Sequence, residues 1–397
     1  MSKHLIKLWY RCAVLILVVL GSSCDGKNQI QQRADENSEA IQHVTVYFEE
    51  GRFAGWPANQ GIWRWGDEIL VGFVASDYSE DAGFHTYDQN TARHTYARSL
   101  DGGLTWAIED AFEHGQTGWG YDHDLDEEAA EPQVPLTDPV DNFLDPGFVL
   151  TFVRHNNHDG PSHFYYSEDK GEVWNGPFSF PDFGTPGVAT RTDYIVEGEK
   201  ELKAFLTVAK QNGREGRVAM VQTTNGGVDW DFISWIGPEP DGFNIMPSTV
   251  KLSENELLTV FRSRSADPVR DFIQAFRSDD NGETWSKISE PVADTGHYGS
   301  PPALVKLDDG RLALAYAYRS QYGSRICLRM SEDDGATWSH EIPIRSDGAN
   351  ADIGYPVMVQ RQDGKLLIVY YWNHALDEDK TDFRYIAASI VDPDRYL

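Results

Sequence analysis

Apolar and polar positions alternate in short runs along most of this chain, and the runs come in pairs joined by a brief polar turn. The pairs read GIWRWGDEILVGF (61–73), DYIVEGEKELKAFLTVA (193–209), STVKLSENELLTVF (248–261), ALVKLDDGRLALAYAY (303–318) and VMVQRQDGKLLIVYY (357–371). A less regular version, GFVLTFVRH followed by SHFYYSEDKG, stands second in order. Side chains at period two that switch from one face to the other, with turn residues between runs, are the mark of antiparallel strands. Six such pairs predict six small sheets.

A second pattern punctuates the first. SLDGGLTW (99–106), SEDKGEVW (167–174), TTNGGVDW (223–230), SDDNGETW (278–285) and SEDDGATW (331–338) are near copies of one turn, whose starts are 68, 56, 55 and 53 residues apart. An Asp carboxylate in such a loop accepts backbone N–H groups, and the Gly two positions later takes a positive φ that other residues resist. The Trp opens the next strand and packs against the neighbouring unit. Six strand pairs and five such turns predict an all-β, six-bladed β-propeller over residues 43–397, since radial repetition leaves few open sheet edges. HVTVYFEE, at the start of that region, is expected to close the last blade.

The repeated Ser-x-Asp-x-Gly-x-Thr-Trp resembles the Asp box of the sialidase (neuraminidase) superfamily, and the resemblance covers roughly residues 43–397. It implies structural turns at the blade periphery and a site where the innermost strands converge. Members hold a substrate carboxylate with three arginines, attack with a Tyr partnered by a Glu, and use an Asp as acid/base. Guanidinium forks match carboxylate geometry, and a neutral phenol avoids the repulsion that a carboxylate nucleophile meets at an anionic anomeric centre.

The resemblance carries over residue by residue only in part. IGYPVMVQRQDGKLLIVYY puts Tyr355 on the nucleophile position, with Pro356 in place of the usual Ser; STVKLSENELLTVFRSR puts Arg262 on the second arginine; SRICLRMSEDDG puts Arg325 nearest the third. In GRFAGWPANQG, Arg52 stands three residues before the first arginine's place, which Gly55 occupies, and Trp56 follows. Met246 falls where the Glu partner is expected, and TYDQNTARHTYARS offers Asp88 and His94 for the acid/base. These departures point to a pocket reshaped for another acidic sugar. Each arginine has a plain alternative as an ion pair between blades.

Other polar residues cluster near strand ends: Arg154, His155, His158 and Asp159 in FVRHNNHDG, Arg191 and Asp193 in ATRTDYIV, Glu215 in GREGR, His297 and Tyr298 in TGHYGSPP, and Asp352 in GANADIGYP. Arg191 and Asp193, two apart, face the same side of a strand. Asp193, Glu215, Asp352 and His94 are therefore candidates beside Tyr355 for proton transfer, and Arg154, His155, Arg191 and His297 for substrate binding. Neither His155 nor His158 has metal-motif spacing, and the Asp turns lack the further oxygen ligands of a calcium loop. No metal or cofactor is expected.

Composition narrows the partners. A formal net charge of −29 disfavours nucleic acid and anionic membranes, although a local arginine cluster still suits an anionic glycan or polysaccharide. Lys3, Lys7 and Arg11 flank a short apolar run, and small residues lead into Cys24, so residues 1–24 read as a lipoprotein-type signal with Cys24 acylated. Ordinary secretion with cleavage nearby is the alternative. Residues 25–42 read as a flexible tether, and the product as exported, either periplasmic or at the cell surface. Cys12 and Cys24 lie in the signal, which leaves Cys327 without a disulfide partner, in an apolar strand that suits a buried side chain.

Three functions remain: a glycoside hydrolase acting on an acidic sugar, a lyase acting on uronate chains, and a glycan-binding propeller without turnover.

Overall fold

The computed structural model describes residues 41–80, 83–116, 134–373 and 383–396, so the expected signal and most of the tether, including Cys24, lie outside the described residues. From Ile41 onward the chain forms one compact body of six antiparallel sheets arranged as a six-bladed β-propeller. Blades 3, 4 and 5 each follow chain order from the innermost strand outward. In blade 4 the strands are Phe243–Lys251, Leu257–Ser265, Arg270–Ser278 and Ser286–Val292. Blade 6 takes Gly354–Gln360, Leu366–Trp372 and Tyr385–Val391, then adds Ile41–Tyr47 as its outer strand. The N-terminal strand thus closes the ring, as its sequence position predicts.

Two blades depart from the pattern. In blade 1 the innermost strand is broken: Arg52–Gly55 and Ile62–Trp65 both pair with Glu68–Asp77, and the short helix Pro57–Gln60 sits between them. Blade 2 has three strands among the described residues, Val149–Arg154, Ser162–Ser167 and Asn175–Ser179.

The apolar alternation produces cores between blades rather than within them. Leu258, Val260 and Ile273 of blade 4 pack against Leu304, Leu312 and Tyr316 of blade 5. Cys327 is buried in that layer, and burial pushes its thiol up to about 12, which makes it an inert packing residue.

The Asp turns brace these layers. In the last one, Ser331 Oγ donates to Asp333 Oδ1 at 2.9 Å and accepts from Gly335 N at 2.9 Å. Asp333 accepts from Thr337 N at 2.8 Å and from Thr337 Oγ1 at 2.6 Å, while Trp338 Nε1 donates to the Gly335 carbonyl at 3.0 Å. Gly335 has φ +84°, and a Cβ there would meet Leu258 of the preceding blade at 2.8 Å. In blade 4 the turn's Ser278 lies opposite Leu257, five residues along the strand from Arg262. At about 3.3 Å per residue the turn and the arginine are roughly 17 Å apart, so the turns sit at the far end of the blades from the residues described next.

Candidate active site

The innermost strands of blades 1, 4 and 6 begin alike. Trp56, Met246 and Tyr355 each hold a left-handed backbone, with φ of 60°, 55° and 49°, and each precedes a proline. Non-glycine residues rarely adopt this region, and such strain persists only where the surroundings enforce it. Pairing is interrupted at two of the three, between Ile245 and Pro247 and between Gly354 and Val357. The bulge re-aims the side chain at the head of the channel. At these three related positions the chain places an indole, a thioether and a phenol, and only the phenol has acid–base chemistry.

Three arginines face that phenol. Arg262 Nη1 donates to Tyr355 Oη at 3.4 Å, and another guanidinium nitrogen of Arg262 donates to the Tyr298 carbonyl. Arg319 lies over the Tyr355 ring with its guanidinium carbon 5.5 Å from the centroid. Arg191 pairs with Glu215 at 3.0 Å. Burial by itself raises the Tyr355 phenol, but the charges of Arg262, Arg319 and Arg191 outweigh it and hold the group below its ordinary value, with Glu215 opposing them.

Arg319 is locked in place. Its Nε donates to the Ile353 carbonyl at 2.8 Å, Nη1 to the Gly299 carbonyl at 3.1 Å, and Nη2 to the Tyr371 hydroxyl. Arg262 is less committed, with Nε unpartnered.

Beside this group lies a buried carboxylate. Asp352 accepts from Tyr371 Oη and from Arg384 Nε, both at 2.8 Å, and its Oδ1 lies 2.8 Å from His85 Nδ1. Burial alone would raise this carboxyl, but His85, Arg384 and Arg319 drive it far below the usual carboxylate range. Trp56 packs edge-on against His85 at 5.2 Å, beside Phe53 and Tyr87.

Below the phenol the channel opens into a cavity of about 340 Å³ lined by Arg191, Asp193, Met246, Thr249 and Pro356. Arg191 and Asp193 both line this cavity, as does Thr192 between them. Asp193 accepts from Thr249 N at 3.2 Å and Thr249 Oγ1 at 2.9 Å, which ties blade 3 to blade 4. Burial pushes its carboxyl up to about 7.

Several expected residues stand elsewhere. Arg325 stacks on Tyr318 at 3.9 Å and pairs with Glu341 at 2.7 Å, because it lies within strand Ser324–Ser331, directly across from Tyr318. Arg319, one residue past that tyrosine, takes the place beside Tyr355. Arg52 pairs with Asp77 on the adjoining strand and joins no part of the Tyr355 group. Trp56 is buried, so its ring supports His85 instead of offering a face to a sugar. Asp88 caps the short turn 89–91 by accepting from Asn90 N.

His94 is buried and 3.4 Å from Gln60 Nε2. Burial, then the charge of Arg154, lowers it to about 4, so it is neutral at physiological pH and cannot donate a proton as an imidazolium there. Arg154 donates to Asn157 at 3.1 Å, and His155 acts electrostatically on buried His163. These residues form a second polar group between blades 1 and 2. His297 is exposed, its backbone N–H donating to the Arg319 carbonyl and its ring lying 4.1 Å from Tyr298.

Arg319, His85, Tyr371 and Arg384 are absent from the sequence expectations. For Arg319 a signal existed: LALAYAY is followed by Arg319 as LLTVF is followed by Arg262. His85 joins Asp352 across 267 residues, and no local pattern marks that pair. Among the described residues no group of three or more His, Cys, Asp or Glu side chains is placed to hold a metal ion.

The BNR repeat-like domain model matches residues 108–368. No curated protein sequence matches the chain. Among solved structures, a protein of unknown function from Dyadobacter fermentans is similar, with 19% identity, 88% of this chain and 98% of the other covered, and a TM-score of 0.63. A sialidase of Streptococcus pneumoniae shares 12% identity over 89% of this chain and 71% of its own, with a TM-score of 0.56. An α-L-arabinanase of Penicillium chrysogenum shares 15% over 90% and 99%, also at 0.56. At such identities the likeness is one of fold, a six-bladed propeller.

Proposed function

The chain belongs to the BNR repeat-like domain family, and from that premise we propose that it is a glycoside hydrolase acting on a carboxylate-bearing sugar, with Tyr355 as nucleophile. The supporting observation is the group formed by Tyr355, Arg262, Arg319, Arg191 and Glu215. A phenol of ordinary pKa near 10 is a weak nucleophile at neutral pH; three guanidinium charges favour its ionised form. The same charges suit an anionic substrate, and Arg262 keeps an unpartnered Nε.

In this reading Glu215 takes the phenol proton as the oxygen attacks the anomeric carbon. Sialidases are a known exception to the two-carboxylate scheme of glycosidases, and the glycosyl–tyrosine step here follows from the same electrostatics. Export, with a lipid on Cys24, is part of the proposal; the basic, apolar and small-residue order of residues 1–24 supports it.

A phenolate beside arginines also fits abstraction of a proton next to a carboxylate, so elimination on uronate chains is the second reading. Product analysis separates them. Hydrolysis of an acidic polysaccharide releases saturated ends, whereas elimination leaves an unsaturated sugar absorbing in the near ultraviolet. Accumulation of that absorbance with each bond cut would replace the hydrolase reading by the lyase one.

A further inference from the structure

We propose that His85 is the acid and base of this site, and that Asp352 is its positioning residue; this rests on the hydrolase reading above. The two come from segments far apart in the chain. His85 lies in the connection between the second and third strands of blade 1, and Asp352 in the entry to blade 6.

The pairing fixes the tautomer. Asp352 accepts from Tyr371 and Arg384 as well as facing His85 Nδ1, and an ionised carboxylate only accepts. The proton therefore sits on Nδ1, and Nε2 is the nitrogen left to act. Asp352 is fully buried, while the His85 side chain is 37% exposed, so the dyad opens at its histidine end alone.

Contacts place that end at the same mouth as Tyr355. On the inner side Tyr371 bridges Asp352 and Arg319, and its ring lies 5.9 Å from that of Tyr355. On the outer side Phe84, adjacent to His85, lies 6.1 Å from the Tyr298 ring, and the Tyr298 carbonyl accepts from Arg262. His85 faces Asp352 backed by Tyr371, Arg384 and Arg319, with Trp56 and Tyr87 beside it and His297 beyond Phe84.

The chemistry balances in two steps. First, the His85 imidazolium gives its Nε2 proton to the glycosidic oxygen as the bond from that oxygen to the anomeric carbon breaks. Tyr355 Oη bonds to the same carbon, and Glu215 receives the phenol proton. Second, neutral His85 takes a proton from water at Nε2, the water oxygen bonds to the anomeric carbon, and the tyrosyl oxygen leaves with its electron pair and recovers its proton from Glu215. His85 and Glu215 end as they began.

The test compares parent, His85→Ala and His85→Gln on aryl glycosides of N-acetylneuraminic acid and glucuronic acid, each with 4-methylumbelliferone and with 2,4-dinitrophenol as leaving group. A general acid contributes roughly 10²–10⁴-fold. We expect a loss of that size in kcat/KM with umbelliferone, a much smaller one with dinitrophenol, which leaves without protonation, and unchanged melting temperatures, while loss of the base in the second step lowers kcat with both. In Asp352→Asn, loss of the negative charge should shift the alkaline limb of the pH profile to lower pH. Equal loss of kcat/KM with both leaving groups, or no loss, overturns the proposal.

If the parent cleaves none of the four compounds, the hydrolase reading fails by itself. Nitrogen-15 NMR of the His85 ring then decides the placement. Proton on Nδ1, and an Nε2 resonance that moves when N-acetylneuraminate or glucuronate is added, are expected; an Nε2 unmoved by both overturns it.

Discussion

Arg262 Nη1 donates to the Tyr355 hydroxyl at 3.4 Å, joining blades 4 and 6 across the channel from positions 93 residues apart. Arg319 reaches the same ring but has each guanidinium nitrogen engaged by protein oxygens. The two arginines therefore differ in how firmly the protein holds them.

Arg262→Ala should weaken binding of a carboxylate-bearing substrate. Hydrogen bonds to charged groups contribute about 1.5–3 kcal/mol, which is roughly a 10–100-fold rise in KM by the same scale. The methyl ester of that substrate, which lacks the charge, should lose far less. Kinetics on the acid and ester pair check this, and an equal effect on both would remove Arg262 from carboxylate recognition.

Asp333→Ala should lower stability and leave turnover as it is. The substitution removes acceptors for Thr337 N, Thr337 Oγ1 and Ser331 Oγ, and leaving such groups unmet costs about 1–3 kcal/mol. Thermal melting and steady-state kinetics on the same preparation measure both. A parent-like melting curve with lost turnover would overturn the view of these turns as braces.

Acid sensitivity should trace in part to His94. Its folded pKa of about 4 lies below the ordinary histidine value of 6.5, so the unfolded chain binds the extra proton between those values. Stability from this group is complete above about 6.5 and is lost as pH falls toward 4, by on the order of 3 kcal/mol. Denaturant titrations of the parent and His94→Gln at pH 7 and pH 4.5 should show a shallower loss in the variant. Parallel losses would show that His94 is not held neutral.

The ring of blades was legible because its signals are local. Period-two alternation and a repeated eight-residue turn each depend on neighbours in sequence, and the closing strand followed from its place before the first blade. Tyr355 and Arg262 were legible through the resemblance of their segments to sialidases. Arg325 failed for a geometric reason: the strand pairs it directly with Tyr318 and turns it toward Glu341, while Arg319 at the strand's end turns inward. His85 was invisible because its partner Asp352 is brought to it only by closure of the ring. The Glu expected at Met246 is absent, and Glu215, from the third strand of blade 3, supplies a carboxylate whose charge acts on the phenol.

Turnover by Tyr355→Phe tests the central claim most directly. The substitution keeps the ring under Arg319 and removes only the hydroxyl that Arg262 and the surrounding charges address. With the anionic aryl glycosides described above, the variant should fold and melt like the parent and bind the substrate, while kcat falls by on the order of 10³-fold or more, as loss of a nucleophile does elsewhere. A Phe variant that turns over at the parent's rate would contradict the account, and Tyr355 would then be a packing residue at the head of blade 6.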